Sequence, residues 1–321
     1  MNNELLKVES LQKYFKTTYG LLHAVDNVSF SIGKGRTLGI VGESGCGKST
    51  LGRVVLGLLG ATGGRILFEG RDITAAGRRE RHELRKDMQI IFQDPYSSLN
   101  PRLCVSDIIA EPLKIYHRFT SKQDRDRRVE ELMDTVGLAR RFATSYPHEL
   151  DGGRRQRIGV ARALALDPKF IVCDEPVSAL DVSIQAQIIN LLMDLQDMRG
   201  LTYIFITHDL SVVKHISDDI LVMYMGVMVE KCPTEEIFAH PMHPYTKGLL
   251  SAIPIPTVGA KRERQLMSGE VSSPIDPEPG CRFAKRCPHA TDICSKRDPE
   301  LREVCPGHYV ACHHVAQLNA T

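Results

Sequence analysis

Gly42-Glu43-Ser44-Gly45-Cys46-Gly47-Lys48-Ser49 carries the spacing G-x-x-x-x-G-K-[ST]. The glycines let backbone N–H groups converge on phosphate oxygens, and a helix starting there adds a favourable dipole. Lys48 is placed to reach the β- and γ-phosphates, and Ser49 to hold Mg²⁺. The apolar run Thr37–Val41 precedes the loop and a helical stretch from Thr50 follows it. Strand, loop and helix in that order make a chance glycine-rich turn a poor explanation.

A second acidic constellation supports the first. Phe170-Ile171-Val172-Cys173-Asp174-Glu175 reads as a buried strand that delivers two carboxylates to a sheet edge. Asp174 is suited to support Mg²⁺, directly or through water, and Glu175 to polarise an attacking water. In isolation two acids at a strand end are commonly just solvated. Beside a phosphate loop that bland reading is weak.

These groups need a sheet to hold them. Thr37–Val41, Met88–Phe92, Phe170–Cys173 and Tyr203–Thr207 are candidate buried strands, each ending in polar or glycine-rich residues. They alternate with helical patterns, which predicts an α/β fold with a largely parallel sheet over residues 1–235. Ligands of such sheets bind at the carboxyl ends of the strands. Between Pro95 and Ala165 the pattern turns helical and charged, with an amphipathic helix over Ser121–Leu138. A helical subdomain over about 96–165 is therefore expected inside the sheet domain. After Lys231 the composition shifts towards proline, cysteine and loops, so residues 236–321 are expected to form a small Cys-rich C-terminal domain.

Composition bounds the rest. The chain has 321 residues, 42% hydrophobic and 25% charged, enough for one large or two modest cores. A net charge of +2 gives no reason to expect nucleic-acid binding driven by bulk charge. The longest near-continuous apolar run, Ile220 to Val229, is too short to cross a bilayer. The first residues, MNNELLKVES, lack the basic start and apolar stretch of an export signal. The chain is expected to be neither secreted nor membrane-spanning, while able to dock on a membrane protein. Arg78-Arg79-Glu80-Arg81 and Arg125-Asp126-Arg127-Arg128 mix both signs and read as solvated helix faces; Met223, Met225 and Met228 read as core filler.

Five further elements narrow the nucleotide hydrolases. They are Gln93 after Ile90-Ile91-Phe92; Leu150-Asp151-Gly152-Gly153-Arg154-Arg155-Gln156-Arg157; the Asp174-Glu175 pair; Ser178-Ala179-Leu180-Asp181; and Ile206-Thr207-His208-Asp209. Over residues 5–235 the chain resembles the ATP-binding subunit of an ABC transporter, a P-loop NTPase fold. The resemblance implies ATP and Mg²⁺ as ligands, Glu175, His208 and Lys48 as catalytic residues, and Ser49, Gln93 and Asp174 around Mg²⁺. It implies that Gly42 to Thr50 hold the phosphates and that Phe15 stacks on adenine, with Tyr14 as the rival. Gln93 matches the residue linking the γ-phosphate and Mg²⁺ to a transmembrane partner, and His208 the one that contacts γ-phosphate and orients water. Asp181 matches the loop that crosses a dimer interface. Asp151, Gly152, Gly153 and Arg154 match the signature that covers ATP held by the opposite subunit.

That signature departs from the usual LSGGQ. Aspartate stands in place of serine at position 151 and Arg154 in place of glutamine. Like charge near phosphate is unfavourable at short range, and Arg154 is suited to offset it by pairing with Asp151 or with phosphate. Asp151 is also a favoured residue for capping the following helix.

Asp94-Pro95-Tyr96-Ser97-Ser98-Leu99-Asn100-Pro101, His243-Pro244-Tyr245-Thr246, Gly280-Cys281-Arg282-Phe283 and Arg286-Cys287-Pro288 resemble the ATPase subunits of dipeptide and oligopeptide importers, whose relatives include nickel importers. The resemblance implies an ATP hydrolase that energises peptide import, peripheral on the cytoplasmic side of the inner membrane. Its implied partners are a second ATPase subunit, two permeases and an external solute-binding protein. A nickel or other small-solute importer is the alternative cargo. A non-transport ABC ATPase and a metal-sensing module on an inactive ATPase are the further rivals.

Nine cysteines include five in the tail: Cys281, Cys287, Cys294, Cys305 and Cys312. Cys281, Cys287, Cys294 and Cys312 match the tail pattern of the peptide-importer family, which implies a [4Fe–4S] cluster in some members. Four thiolates are the right ligand set, and Cys305 could substitute for one. Zinc with Cys and His308 or His313, or unliganded thiols, are the alternatives.

Overall fold

The computed structural model describes residues 4–252 and 273–319. Strands run along the chain as β1 (Glu4–Thr17), β2 (Gly20–Gly33), β3 (Thr37–Val41), β4 (Gly63–Phe68), β5 (Arg71–Asp72), β6 (Met88–Ile91), β7 (Phe170–Asp174), β8 (Thr202–Ile206), β9 (Asp219–Tyr224), β10 (Val227–Pro233), β11 (Arg302–Cys305) and β12 (His308–Val310). The helices are α1 (Lys48–Val55), α2 (Arg78–Asp87), α3 (Pro95–Ser98), α4 (Val105–Ile115), α5 (Lys122–Thr135), α6 (Gly152–Leu164), α7 (Val182–Arg199), α8 (Leu210–Ile216), α9 (Thr234–Ala239), α10 (Pro244–Ser251) and α11 (Val315–Leu318). Contacts group residues through Ala75 with those from Ile206 onward, and Ala76–Phe205 separately. The expected boundary at residue 235 therefore falls inside the first unit, and the expected helical insertion lies inside the second.

In the first unit β2, β1, β4 and β5 form an antiparallel sheet in that order. Every residue of β3 is buried, as its unbroken apolar run requires. β3 pairs parallel with β9, Val41 standing opposite Val222. The run Ile220–Val229 is a hairpin, not one strand. It turns at Met225 and Gly226, whose φ values of 44° and 84° are the doubly positive pair of a two-residue hairpin turn. The three methionines of this region are buried, as expected of core filler. The tail extends the same sheet: β12 pairs antiparallel with β10, Glu230 opposite Val310, and β11 pairs with β12. Phe283 is fully buried against Tyr224 and Tyr245, with ring centroids 5.3 and 5.4 Å apart.

In the second unit β6 and β7 pair parallel, Ile91 opposite Cys173. Of the six helices described in this unit, α3, α5 and α6 start at side-chain caps, from Asp94, Ser121 and Asp151. Ser121 accepts from the N–H groups of Gln123 and Asp124 and starts α5, which buries Val129, Leu132 and Met133. Gly137, at φ 64°, ends that helical stretch. α2 buries none of its residues, in keeping with a solvated charged helix. Among the described residues no helix is long and apolar enough to cross a membrane.

Candidate functional site

The phosphate loop lies wholly in the first unit. It leaves buried β3 at Val41 and enters α1 at Lys48, two residues earlier than the helical stretch expected from Thr50. Gly42, Gly45 and Gly47 have φ values of 152°, 77° and 105°, a region that side chains rarely adopt. Two of these glycines are also required sterically. A Cβ on Gly42 would meet the Met223 carbonyl oxygen at 2.2 Å, and one on Gly47 the Ala24 oxygen at 2.0 Å. The Lys48 ammonium is buried inside the loop and donates to the carbonyl oxygens of Gly42 and Glu43 at 2.8 and 2.9 Å. Its charge thus stands where polyphosphate oxygens would enter, while Ser44 and Gly45 at the loop's crest are exposed. Ser49 and Thr50, half-buried, follow in the first turn of α1. Burial pushes the Cys46 thiol up, so it stays protonated inside the loop.

Two flanking groups belong to the same unit. Thr207 N–H donates to Ile40 O at 3.2 Å, which places the exposed His208 one residue past a contact with β3. Asp209 then caps α8 by accepting from Ser211 N–H at 2.8 Å. Tyr14 and Phe15 are adjacent on β1 but differ in commitment. Tyr14 donates to Asp26 Oδ1 at 2.5 Å and stacks on His23 at 4.0 Å. Phe15 is half-exposed with the Lys13 ammonium 4.8 Å from its ring centre. The ring less tied to the protein is Phe15.

The second unit gathers the carboxylates and the signature. The β6–β7 register brings Gln93 and Glu175, each just past its strand, to one edge. Gln93 Nε2 donates to Glu175 Oε2 at 2.8 Å. Glu175 sits at φ 47°, an uncommon conformation for a side-chain residue that often marks functional positions. Asp174 is buried at the end of β7. At the start of α6, Asp151 accepts from Arg154 N–H at 2.8 Å, and Arg154 Nη1 returns to Asp151 Oδ2 at 3.0 Å. The residue that departs from the usual signature is therefore both helix cap and ion-pair partner. A Cβ on Gly153 would lie 2.7 Å from Ile184 Cγ2, and one on Gly152 3.0 Å from Leu180 Cδ2. Both glycines thus pack against the residues flanking the exposed Asp181.

The tail thiols meet in one pocket. Cys281, Cys287, Cys294 and Cys312 line it together with His243, Phe283, His289 and His313. Burial pushes the Cys281 thiol up to about 12, helped by the neighbouring Cys294, Cys312 and Cys287. Cys305 lies exposed on β11 and outside this lining. His308 does not face the thiols. Its Nε2 lies 2.7 Å from Glu230 Oε1, and both groups are buried. His313 Nε2 is 2.8 Å from Arg297 O. Among the described residues no three His, Cys, Asp or Glu side chains stand close enough to hold a single metal ion. A mononuclear zinc would need its ligands at about 2.3 Å from one point, which these thiols do not offer.

Neither the Arg286–Glu43 ion pair nor the Arg282–Asp26 pair was visible in the sequence. Arg286 Nη1 is 2.7 Å from Glu43 Oε2, and Arg282 Nη2 is 2.5 Å from Asp26 Oδ2. No local periodicity links residues so far apart in the chain. A carboxylate inside the phosphate loop and arginines beside the tail cysteines were the only available signals.

Comparison with known proteins agrees with this geometry. The family model described as ABC transporter matches residues 25–178, and that of the oligopeptide/dipeptide transporter C-terminal region matches residues 229–294. The oligopeptide transport ATP-binding protein AppF of Bacillus subtilis is 51% identical over 96% of this chain and 97% of its own length. OppF of the same organism, also named an oligopeptide transport ATP-binding protein, is 51% identical over 97% of both chains. A putative peptide import ATP-binding protein of Brucella ovis is 50% identical over 96% of this chain and 97% of its own. Among solved structures, the ATP-binding cassette MJ0796, dimeric and bound to ADP and phosphate, superposes with a TM-score of 0.66 at 30% identity. It covers 71% of this chain and 98% of its own. CbiO1 of Clostridium perfringens, part of an ABC transporter complex, gives 0.66 at 29% identity over 74% of this chain and 92% of its own. With a lysine-filled phosphate loop, a paired Gln93 and Glu175, and relatives alike over nearly its whole length, the chain belongs to the ABC transporter ATP-binding proteins, in the oligopeptide and dipeptide transporter family.

Proposed function

We propose that this chain binds and hydrolyses ATP as the motor subunit of a peptide importer. The observation that carries the reading is the match of both parts of the chain at once. The cassette region fits the ABC transporter model, and the tail fits the C-terminal region of oligopeptide and dipeptide transporters. The phosphate loop takes the polyphosphate, with Lys48 moving from the loop carbonyls to the β- and γ-phosphates. Glu175 polarises the attacking water, His208 contacts γ-phosphate, and Phe15 stacks on adenine. Ser49, Gln93 and Asp174 are the residues that would hold Mg²⁺, and the ion would supply positive charge against that of the phosphates. The donor set fits: a hydroxyl, an amide oxygen and a buried carboxylate are hard oxygen ligands.

Asp151 to Arg154 and Asp181 act across an interface with a second ATPase subunit. Two permeases and an external solute-binding protein complete the complex, with this chain peripheral on the cytoplasmic face of the inner membrane. Positioning and charge stabilisation at γ-phosphate are the whole of the protein's chemical task.

For the tail the proposal rests on ligand chemistry: Cys281, Cys287, Cys294 and Cys312 line one pocket, and four thiolates are the ligand set a [4Fe–4S] cluster takes. A [4Fe–4S] cluster there would supply positive charge that stabilises the Cys281 thiolate, whose proton burial and the neighbouring cysteines otherwise hold. Iron and acid-labile sulfide analysis of anaerobically purified protein tests this. Stoichiometric iron and sulfide support it, and their absence together with full stability excludes it.

The cargo is tested by uptake of a labelled panel of dipeptides and longer peptides in cells with and without this subunit. Peptide uptake that depends on the subunit supports the reading. Dependence of nickel uptake alone would move the cargo while leaving the motor chemistry intact.

A further inference from the structure

The tail segment Cys281–Cys287 faces two ways. Its end cysteines line the thiol pocket, while Arg282 and Arg286 between them reach the nucleotide-binding elements. Arg286 forms a two-pronged contact with Glu43 of the phosphate loop: Nη1 to Oε2 at 2.7 Å and Nη2 to Oε1 at 3.1 Å. The Arg286 side chain is 8% exposed, and its Nε has no hydrogen-bond partner. Its bonding therefore rests on Glu43, backed by the Tyr224 hydroxyl at 3.5 Å. The pairing with Glu43 in turn raises the guanidinium's affinity for its proton. Another residue of the first unit, Tyr245, ties the same loop position from its main chain. Its hydroxyl accepts from Glu43 N–H at 2.9 Å. Arg282 does the same at the other flank, donating to Asp26, which accepts from Tyr14, the neighbour of Phe15.

We infer that Arg286 is a positioning residue for ATP binding: it holds the phosphate loop in shape and neutralises the Glu43 carboxylate that the loop would otherwise present to incoming phosphates. The inference rests on the reading that this loop holds ATP. Its physical core is a sign argument. A carboxylate on an anion-binding loop opposes phosphate, and the opposition is strong where water is partly excluded. A bidentate guanidinium cancels that charge and fixes the carboxylate on Arg286. Removing Arg286 leaves Glu43 charged on the loop and frees it to turn. Removing the carboxylate as well takes away the repulsion. A tail that merely packs on the loop would behave differently: loss of Arg286 would lower stability, and changing Glu43 would add to the damage.

The test is equilibrium binding of MgATP and MgADP to the full chain. It compares wild type, Arg286→Ala, Arg286→Lys, Glu43→Gln and the double variant Arg286→Ala/Glu43→Gln, with thermal melting recorded for each. Arg286→Ala is expected to weaken MgATP binding about tenfold, and MgADP binding less, because fewer phosphate charges meet Glu43. Arg286→Lys should fall between, since a point charge cannot span both carboxylate oxygens. The double variant should recover most of the MgATP affinity lost in Arg286→Ala, whatever its melting temperature. Wild-type affinity in Arg286→Ala and Arg286→Lys overturns the inference. So does a double variant as weak as, or weaker than, Arg286→Ala. Failure of the wild-type chain itself to bind MgATP would instead count against the proposed function. If Arg286→Ala does not fold, Arg286→Lys alone and combined with Glu43→Gln decides by the same ordering.

Discussion

Gln93 donates its amide to Glu175 Oε2 at 2.8 Å, so the residue proposed for water activation is held by a side chain from the neighbouring strand's end. Glu175 is at φ 47°, so its backbone already holds it in a sparsely used conformation. Gln93 adds a side-chain tether to that backbone constraint. Gln93→Ala should lower ATP turnover by roughly tenfold with a smaller effect on KM for ATP, because orientation of the base matters most in the transition state. Steady-state ATPase assays of the assembled complex measure this. A raised KM with kcat unchanged would show instead that Gln93 chiefly binds nucleotide.

Asp151 and Arg154 form a closed local pair at the start of α6. Serine is as good a helix cap as aspartate, and an exposed ion pair contributes little. Asp151→Ser should therefore leave the melting temperature almost unchanged. It should alter ATPase rate or ATP affinity in the assembled complex, because it removes a negative charge from the signature while freeing Arg154. An unchanged rate and affinity would mean that Asp151 serves only as a cap.

His243 gives the tail an acid limit. It caps α10 by accepting from Tyr245 N–H at 3.1 Å, and burial pushes its imidazole down to about 4. An unfolded histidine titrates near 6.5. Between those values the unfolded chain binds a proton that the folded chain refuses. Stability is then fully present above about pH 6.5 and is lost as pH falls towards 4, by up to roughly 1.4 kcal/mol per pH unit. His243→Asn keeps a capping oxygen and removes the titration. Melting curves from pH 7 to 4 should fall more steeply for wild type than for His243→Asn. Glu230 acts lower: burial opposes its ionisation, but hydrogen bonds from His308 and from the Met242 and His243 N–H groups outweigh it and depress its pKa. That contribution is present above its ordinary value of 4.5 and is lost only below it, so it should survive in the variant.

The legible parts of the molecule were those in which chemistry and local pattern coincide. β3 and β7 are fully buried runs, so their apolar sequences announced them, and the glycines at 42, 45 and 47 announced the loop. α5 could be read from the amphipathic pattern after Ser121. The hairpin within Ile220–Val229 was hidden because Met225-Gly226 lacks the Asn-Gly or Asp-Gly signal and both of its strands are apolar. The tail's attachment to the loop was invisible for another reason. Glu43 and Arg286 are 243 positions apart, and either residue alone reads as an ordinary surface charge. Buried pairing over such a distance is a property of the fold, not of any window of sequence.

The most direct test of the whole account is nucleotide trapping with Glu175→Gln, alongside Lys48→Ala, in the complex assembled with its partner subunits. Radiolabelled MgATP is supplied, free nucleotide is removed, and the retained species and the phosphate released are counted. The account expects Glu175→Gln to retain unhydrolysed ATP with turnover reduced by about a hundredfold or more, and Lys48→Ala to retain none. Wild-type turnover in Glu175→Gln, or undiminished ATP retention in Lys48→Ala, would contradict it.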